Sequence, residues 1–307
     1  MYQLSNNMLT LEEISIAFKK CNGITPSTFK DHLTSLHLTT EQLVEGTIID
    51  NAFNYILSDI ERLLDKSILN AYAADHLIKS GFFNWGFVSS YYSNFFSIQA
   101  LNRLQLNFHV WNDANILCEI KNYITQELSV IKNDKSKNTH EIQFNKFYNN
   151  FQRYRGSGID RYWNIGILQS TDGSETHLRN EINYVISKDY YYELDLDHTL
   201  FKKITQDNTK SPFNHRPTVE YPKNYSLNNL KLSMSRLRML TYILNFLANK
   251  NIEYKSYYEN RMDKRLINIT QKYPKVSPWL KELSDEWLKF EDLKLETEMY
   301  STNKARM

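Results

Sequence analysis

A chain of 307 residues is long enough to bury a sizeable core, as one large domain or two ordinary ones. With 8 glycines, 6 prolines and no low-complexity bias it reads as a folded protein built on long helices, and two cysteines, Cys21 and Cys118, cannot alone make a disulfide framework or a structural zinc site. The net charge of +2 hides an asymmetry: residues 201–275 hold 15 Lys/Arg against 5 Asp/Glu, a local net of +10, leaving −8 for the rest.

Residues 1–20 lack the basic start and apolar core of a secretory signal, so the expectation is a cytoplasmic protein with two buried thiols. Residues 11–21 and 27–36 predict two short helices, capped by Thr10 and Ser27 and joined by an Asn-Gly and Thr-Pro turn. This N-terminal hairpin, residues 1–38, reads as a packing element. As a DNA reader its second helix is short of the Arg, Asn and Gln that contact base edges. From 40 to 79, Leu43, Ile49, Phe53, Ile56, Ile60, Leu63 and Leu64 recur at helical steps, and Gly81 stops the pattern.

Residues 82–104 form an aromatic helix with no charge between Lys79 and Arg103, about the length of a bilayer span. Asn84, Ser89, Ser90, Ser93, Asn94, Ser97 and Gln99 are too many polar groups to leave in lipid without partners. A helix buried in protein, packed antiparallel on its predecessor, is the expectation, with no membrane contact. Next come an extended link or short strand at 106–110, a helix at 116–131, a loop at 132–138 and a helix at 144–153. Arg155-Gly156-Ser157-Gly158 reads as an interhelical loop, since no strand precedes its glycines.

Ser174 and Glu175 open a helix that runs to about 192. Residues 196–226, with Pro212, Pro217 and Pro222, read as a connector. The C-terminal region, 227–307, is again helical: 227–250, 252–271 and 279–298. Here Arg236, Arg238, Arg261, Lys264 and Arg265 interleave with Tyr242, Phe246, Tyr254, Tyr257 and Tyr258. Cations supply phosphate contacts and aromatic rings supply stacking faces, so this is a candidate nucleic-acid-binding surface. A solvated basic helix pair facing an acidic part of the same protein or a partner accounts for the pattern equally well.

Arg179-Asn180 followed after four residues by Tyr184, together with Tyr91-Tyr92-Ser93-Asn94-Phe95-Phe96, resembles the two signature helices of the HEPN superfamily. The resemblance spans about residues 40–192, half the chain. It implies an all-α, HEPN-like helical bundle over 39–195 with additional basic C-terminal helices. It also implies metal-independent RNA cleavage in which Arg179 holds the scissile phosphate, Asn180 orients the arginine or the phosphate, and a histidine assists attack by the RNA 2′-hydroxyl. Tyr184 stands in that histidine's slot. A phenol of pKa about 10 is a poor base at neutral pH, though it can act as an acid or hydrogen-bond donor. On one regular helix, residues five apart project about 140° from each other. Arg179 and Tyr184 therefore do not converge from a single regular helix, and the resemblance implies a site shared between the two copies of a dimer. His177 is a further candidate base. Arg179, Asn183 and Tyr184 are also similar to the Arg-x-x-x-Asp-Tyr ending of HEPN partners of minimal nucleotidyltransferases, which serve as regulated subunits.

No paired-histidine zinc motif, P-loop or nucleophile elbow is present; Asp195-Leu196-Asp197-His198 has donors for a divalent ion but reads first as an acidic helix exit or turn, so neither metal nor cofactor is expected. The reading is an RNA-binding protein or endoribonuclease of a bacterial toxin–antitoxin or antiphage defence module, acting as a homodimer or with a neighbour-encoded protein. The alternative is a non-enzymatic helical adaptor or regulatory subunit that binds a protein through its basic face.

Overall fold

The computed structural model describes residues 9–36, 45–111, 115–134, 139–151 and 220–272. Helix α1, Leu11–Ala17, begins where Thr10 Oγ accepts from the Glu13 amide at 3.2 Å and the Glu13 carboxylate accepts from the Thr10 amide at 2.7 Å. This reciprocal capping box satisfies two amides that the first turn leaves unpaired. Helix α2, Phe29–Ser35, repeats the device with Thr28 and Asp31, so its cap is Thr28 and not Ser27.

The long helix expected from residue 40 starts instead at Ala52, as α3, Ala52–Lys79. Ahead of it Ile48–Ile49 forms a two-residue strand, β1, where β-branched side chains suit extended backbone. Asn51, at φ 54°, turns the chain from strand into helix. Gly81, at φ +87°, makes the turn into α4, Phe83–Leu104, a conformation that costs any residue with a Cβ.

Helices α3 and α4 pack antiparallel and very close. A Cβ on Gly86 would lie 2.5 Å from Ile78 Cγ1. Halfway along, Ser67 Oγ donates to the Ser93 carbonyl at 2.6 Å and meets Ser97 Oγ at 2.6 Å. Buried hydroxyl and amide groups of the uncharged segment thus find partners inside the protein. Ser90 receives Asn229 at 2.7 Å, Asn94 receives Arg236 at 2.6 Å, and Asn102 donates to the Gln143 carbonyl at 3.0 Å. Among the described residues no helix is long and apolar enough to cross a membrane.

The largest departure from the sequence reading lies at 116–131, expected as helix. Strands β2, Asn107–Trp111, β3, Asn115–Asn122, and β4, Glu127–Asp134, join β1 in an antiparallel sheet of order β1-β4-β3-β2. Ile116 and Cys118 alternate with less buried Leu117 and Glu119, a period of two that buries one face. Asn122 Oδ1 accepts from the amides of Ile124 at 2.9 Å and Thr125 at 3.2 Å, and Gln126 sits at φ 59°. That side-chain-made turn reverses the chain where helical continuation was expected. Residues 132–134, expected as loop, continue β4. Among the described residues the fold is therefore mostly helical, as expected, with a small four-stranded antiparallel sheet added to the helices.

Helix α5, Thr139–Asn150, closes the outer edge of β2: Gln143 Nε2 donates to the His109 carbonyl at 2.8 Å and Asn150 Nδ2 to the Asn107 carbonyl at 2.9 Å. Helix α6, Glu220–Lys250, lies along α4 and starts seven residues earlier than the sequence suggested, so residues 220–226 are helix and not connector. Pro222 falls in its first turn, where no intrahelical partner is lost. Asn251 then links the last helix, α7, Ile252–Lys272, to the N-terminal segment. Its amide group donates to the carbonyls of Phe18 at 2.9 Å and Cys21 at 2.7 Å, while its oxygen accepts from the Glu253 and Tyr254 amides at the start of α7. One apolar core runs from Phe18 and Phe29 through α3, α4 and the sheet to Leu237, Leu244 and Tyr254.

Candidate nucleic-acid site and the buried arginines

Arg179, Asn180 and Tyr184, with His177, the 155–158 loop, Asp195, Asp197, His198 and the 279–298 helix, lie outside the described residues. The aromatic run of the HEPN resemblance is described, on α4. Tyr91 is fully buried and its hydroxyl meets His140 Nδ1 at 2.8 Å; Phe95 stacks on the His140 ring at 4.0 Å between centroids. Tyr92 and Phe96 are half-buried and stacked, with Lys66 Nζ 5.5 Å from the Phe96 centroid. The run fastens α5 to α4 and packs against α3.

The five basic residues singled out on α6 and α7 do not form one surface. Arg236 is fully buried: its Nη1 donates to Asn94 Oδ1, and its guanidinium lies 4.9 Å from the Phe147 ring centroid. Arg238 is half-buried on α6 and Lys264 is exposed. Arg261 and Arg265 reach across to α3. Arg265 Nη2 donates to Glu61 Oε2 at 2.6 Å and to the Glu61 carbonyl at 3.0 Å, its Nε donates to Asp65, and Arg261 Nη2 donates to the other oxygen of Asp65. Tyr254 completes the group by donating its hydroxyl to Glu61.

The two ion pairs differ in depth. The side chains of Arg265 and Glu61 are 7% and 1% exposed, those of Arg261 and Asp65 40% and 33%. Burial disfavours the charge on Arg265, but Glu61 and then Asp65 outweigh it and hold the guanidinium above its ordinary pKa. Burial and the Glu61 charge both push the Tyr254 and Tyr258 phenols up, so neither ionises in a physiological range. The interleaving of cations and tyrosines on α7 thus faces an acidic helix of the same chain. Glu61 and Asp65 went unremarked in the sequence, although Glu61 falls in the apolar stripe of Leu57, Leu64 and Ile68, where a carboxylate needs a partner.

A second charged cluster joins the N-terminal turn to the core. Arg62 Nη2 donates to the carbonyls of Thr25 and Pro26, each at 2.7 Å, and Asp59 lies 3.6 Å from Arg62 and 3.7 Å from Arg103. Burial raises the Asp59 carboxyl and lowers the Arg103 guanidinium, each opposed by the other's charge. Burial also pushes the Cys21 and Cys118 thiols up to about 12, which removes both as thiolate nucleophiles near neutral pH. Among the described residues no group of three His, Cys, Asp or Glu could hold a metal ion. No family model, curated protein or solved structure matches the chain.

Proposed function

We propose that this chain is a cytoplasmic, HEPN-like RNA-binding protein with metal-independent endoribonuclease activity, working as a dimer in a bacterial toxin–antitoxin or antiphage module. The observation that carries the reading is the Arg179-Asn180 pair spaced from Tyr184, combined with the aromatic run on α4. The engagement of Arg236, Arg261 and Arg265 inside the molecule withdraws them from a solvent-facing basic surface, which counts against an adaptor that binds through that face and equally against a ready-made phosphate groove there.

Arg179 holds the non-bridging oxygens of the scissile phosphate, where its planar fork matches two oxygens at once and stabilises the charge that grows during attack. Asn180 orients that phosphate. The adjacent 2′-hydroxyl gives its proton to solvent as its oxygen bonds to phosphorus, the bond from phosphorus to the 5′-oxygen breaks, and a 2′,3′-cyclic phosphate and a 5′-hydroxyl result, the phenol that supplies the 5′-hydroxyl proton being reprotonated from solvent. Tyr184 serves as the acid that protonates the departing 5′-oxygen. With a phenol in place of an imidazole the base contribution is missing, a loss of about 10²–10⁴-fold in rate.

The test is incubation of purified protein with structured and unstructured RNAs in EDTA, followed by end-group analysis. Slow cleavage leaving cyclic phosphates, accelerated about 10²-fold or more by Tyr184→His, is the expected result. Intact RNA with both proteins would remove the enzymatic part of the proposal.

A further inference from the structure

We propose that docking of the C-terminal half of α7 on α3 and binding of a phosphate polymer are mutually exclusive, with Glu61 and Asp65 occupying the guanidinium groups that would contact phosphates. RNA as the natural polymer rests on the function proposed above; the competition itself does not.

The geometry is of two matched pairs. Glu61 and Asp65 stand one helical turn apart on α3, about 6 Å along its axis, and Arg261 and Arg265 stand one turn apart on α7. A carboxylate and a phosphate present the same paired oxygens to an arginine fork, so the carboxylates fill the positions that neighbouring phosphates of a strand would take. The outer pair, Arg261 and Asp65, is open to solvent, which gives a polyanion an entry point before the buried inner pair separates. Exposed Lys264 lies on the same turn of helix and adds a third cation; exposed Asp263 is the acid beside it.

The docked arrangement is also incompletely satisfied. Among the described residues the buried Tyr258 hydroxyl and Arg261 Nε make no hydrogen bond. Each such group offsets part of what the ion pairs contribute. The first half of α7 is anchored differently, by Asn251 and by the packing of Tyr254 and Tyr258 in the core. The part of the helix that carries the arginines is held by the two ion pairs and by the buried Met262 between them, so its release also exposes Met262. By linkage, anything that weakens docking tightens polyanion binding by the same factor.

Hydrogen exchange and affinity, measured on the full chain with inorganic polyphosphate and with single-stranded RNA, test this. Saturating polyphosphate should raise exchange across residues 261–265 about tenfold or more while α3 and α4 stay protected. Asp65→Asn, a change at the solvent-facing pair, should tighten polyphosphate binding about tenfold and steepen its salt dependence by about one counterion. Arg261→Ala in the Asp65→Asn background should cancel the gain. Glu61→Gln should act in the same direction, and Asp65→Asn alone decides the matter if that variant does not fold. Unchanged exchange with bound polyphosphate, or equal or weaker affinity in Asp65→Asn, would overturn the proposal. Success with polyphosphate but no RNA binding would uphold the competition and sink the RNA reading. Arg179-dependent RNA cleavage with an inert Asp65→Asn would do the reverse.

Discussion

At the scale of single residues, the carboxylates of α3 carry the sharpest consequences. Glu61 is almost wholly enclosed and holds both Arg265 and the Tyr254 hydroxyl. Removing its charge leaves the buried Arg265 guanidinium with Asp65 as its remaining carboxylate, so Glu61→Gln should cost about 3 kcal/mol in chemical denaturation, the lower end for a broken buried pair. Replacing Glu61 and Arg265 together with methionine should cost less than Glu61→Gln alone, because no buried charge is left unpaired. A larger loss for the double variant would mean that the pair is a net stabiliser.

Asp59 has a different signature. Burial raises its carboxyl in the folded state above its unfolded value of about 3.9, so folding favours the protonated form. The stabilising contribution is complete below the unfolded pKa and is lost as pH rises through the higher folded one. Asp59→Asn has no such titration. The stability of the variant relative to the parent should therefore improve between pH 3 and pH 7. Denaturation curves across that range decide it, and a constant difference would argue against a raised carboxyl.

At the scale of elements, the close contact of α3 and α4 hangs on small side chains. An alanine at position 86 gains about 1 kcal/mol of helix propensity over glycine, yet its Cβ would sit 2.5 Å from Ile78 Cγ1, with the Ala74 carbonyl at 3.4 Å. Ile78 is buried and has little room to yield, so Gly86→Ala should lower stability by about 1–3 kcal/mol. A rise in melting temperature would show that α4 can shift outward.

Elements with strong local signals were legible in the sequence. Thr10, Gly81 and the apolar steps of three and four marked α1 and the α3–α4 pair, and of the seven serines and amides singled out in the uncharged segment Ser90, Ser93, Asn94 and Ser97 meet partners on α3 and α6. The β3–β4 hairpin was missed because Asn122 makes its turn through its own side chain, with no glycine or proline to announce it. Ile49 fitted a helical period as well as a strand, and only its pairing with Leu128 decides between the two.

At the scale of the whole molecule, the positive charge of residues 201–275 is partly answered from within. Glu61 and Asp65 neutralise α7, and Lys250 at the end of α6 meets Glu12 of α1 at 3.1 Å. Composition revealed the imbalance but not its direction, because a cation facing an acidic helix and one facing a phosphate look alike in a sequence. The candidate site rests on the resemblance alone, since Arg179, Asn180 and Tyr184 lie outside the described residues, and the aromatic run of the same resemblance proves to be a packing device around His140.

The central claim is that Arg179 supplies the phosphate contact. Arg179→Ala, checked for an unchanged circular dichroism spectrum and compared with the parent in EDTA on the same RNA, addresses it directly. The account predicts at least a 10²-fold loss of cleavage, the scale of one removed transition-state contact. Cleavage at the parent's rate in that variant would contradict it.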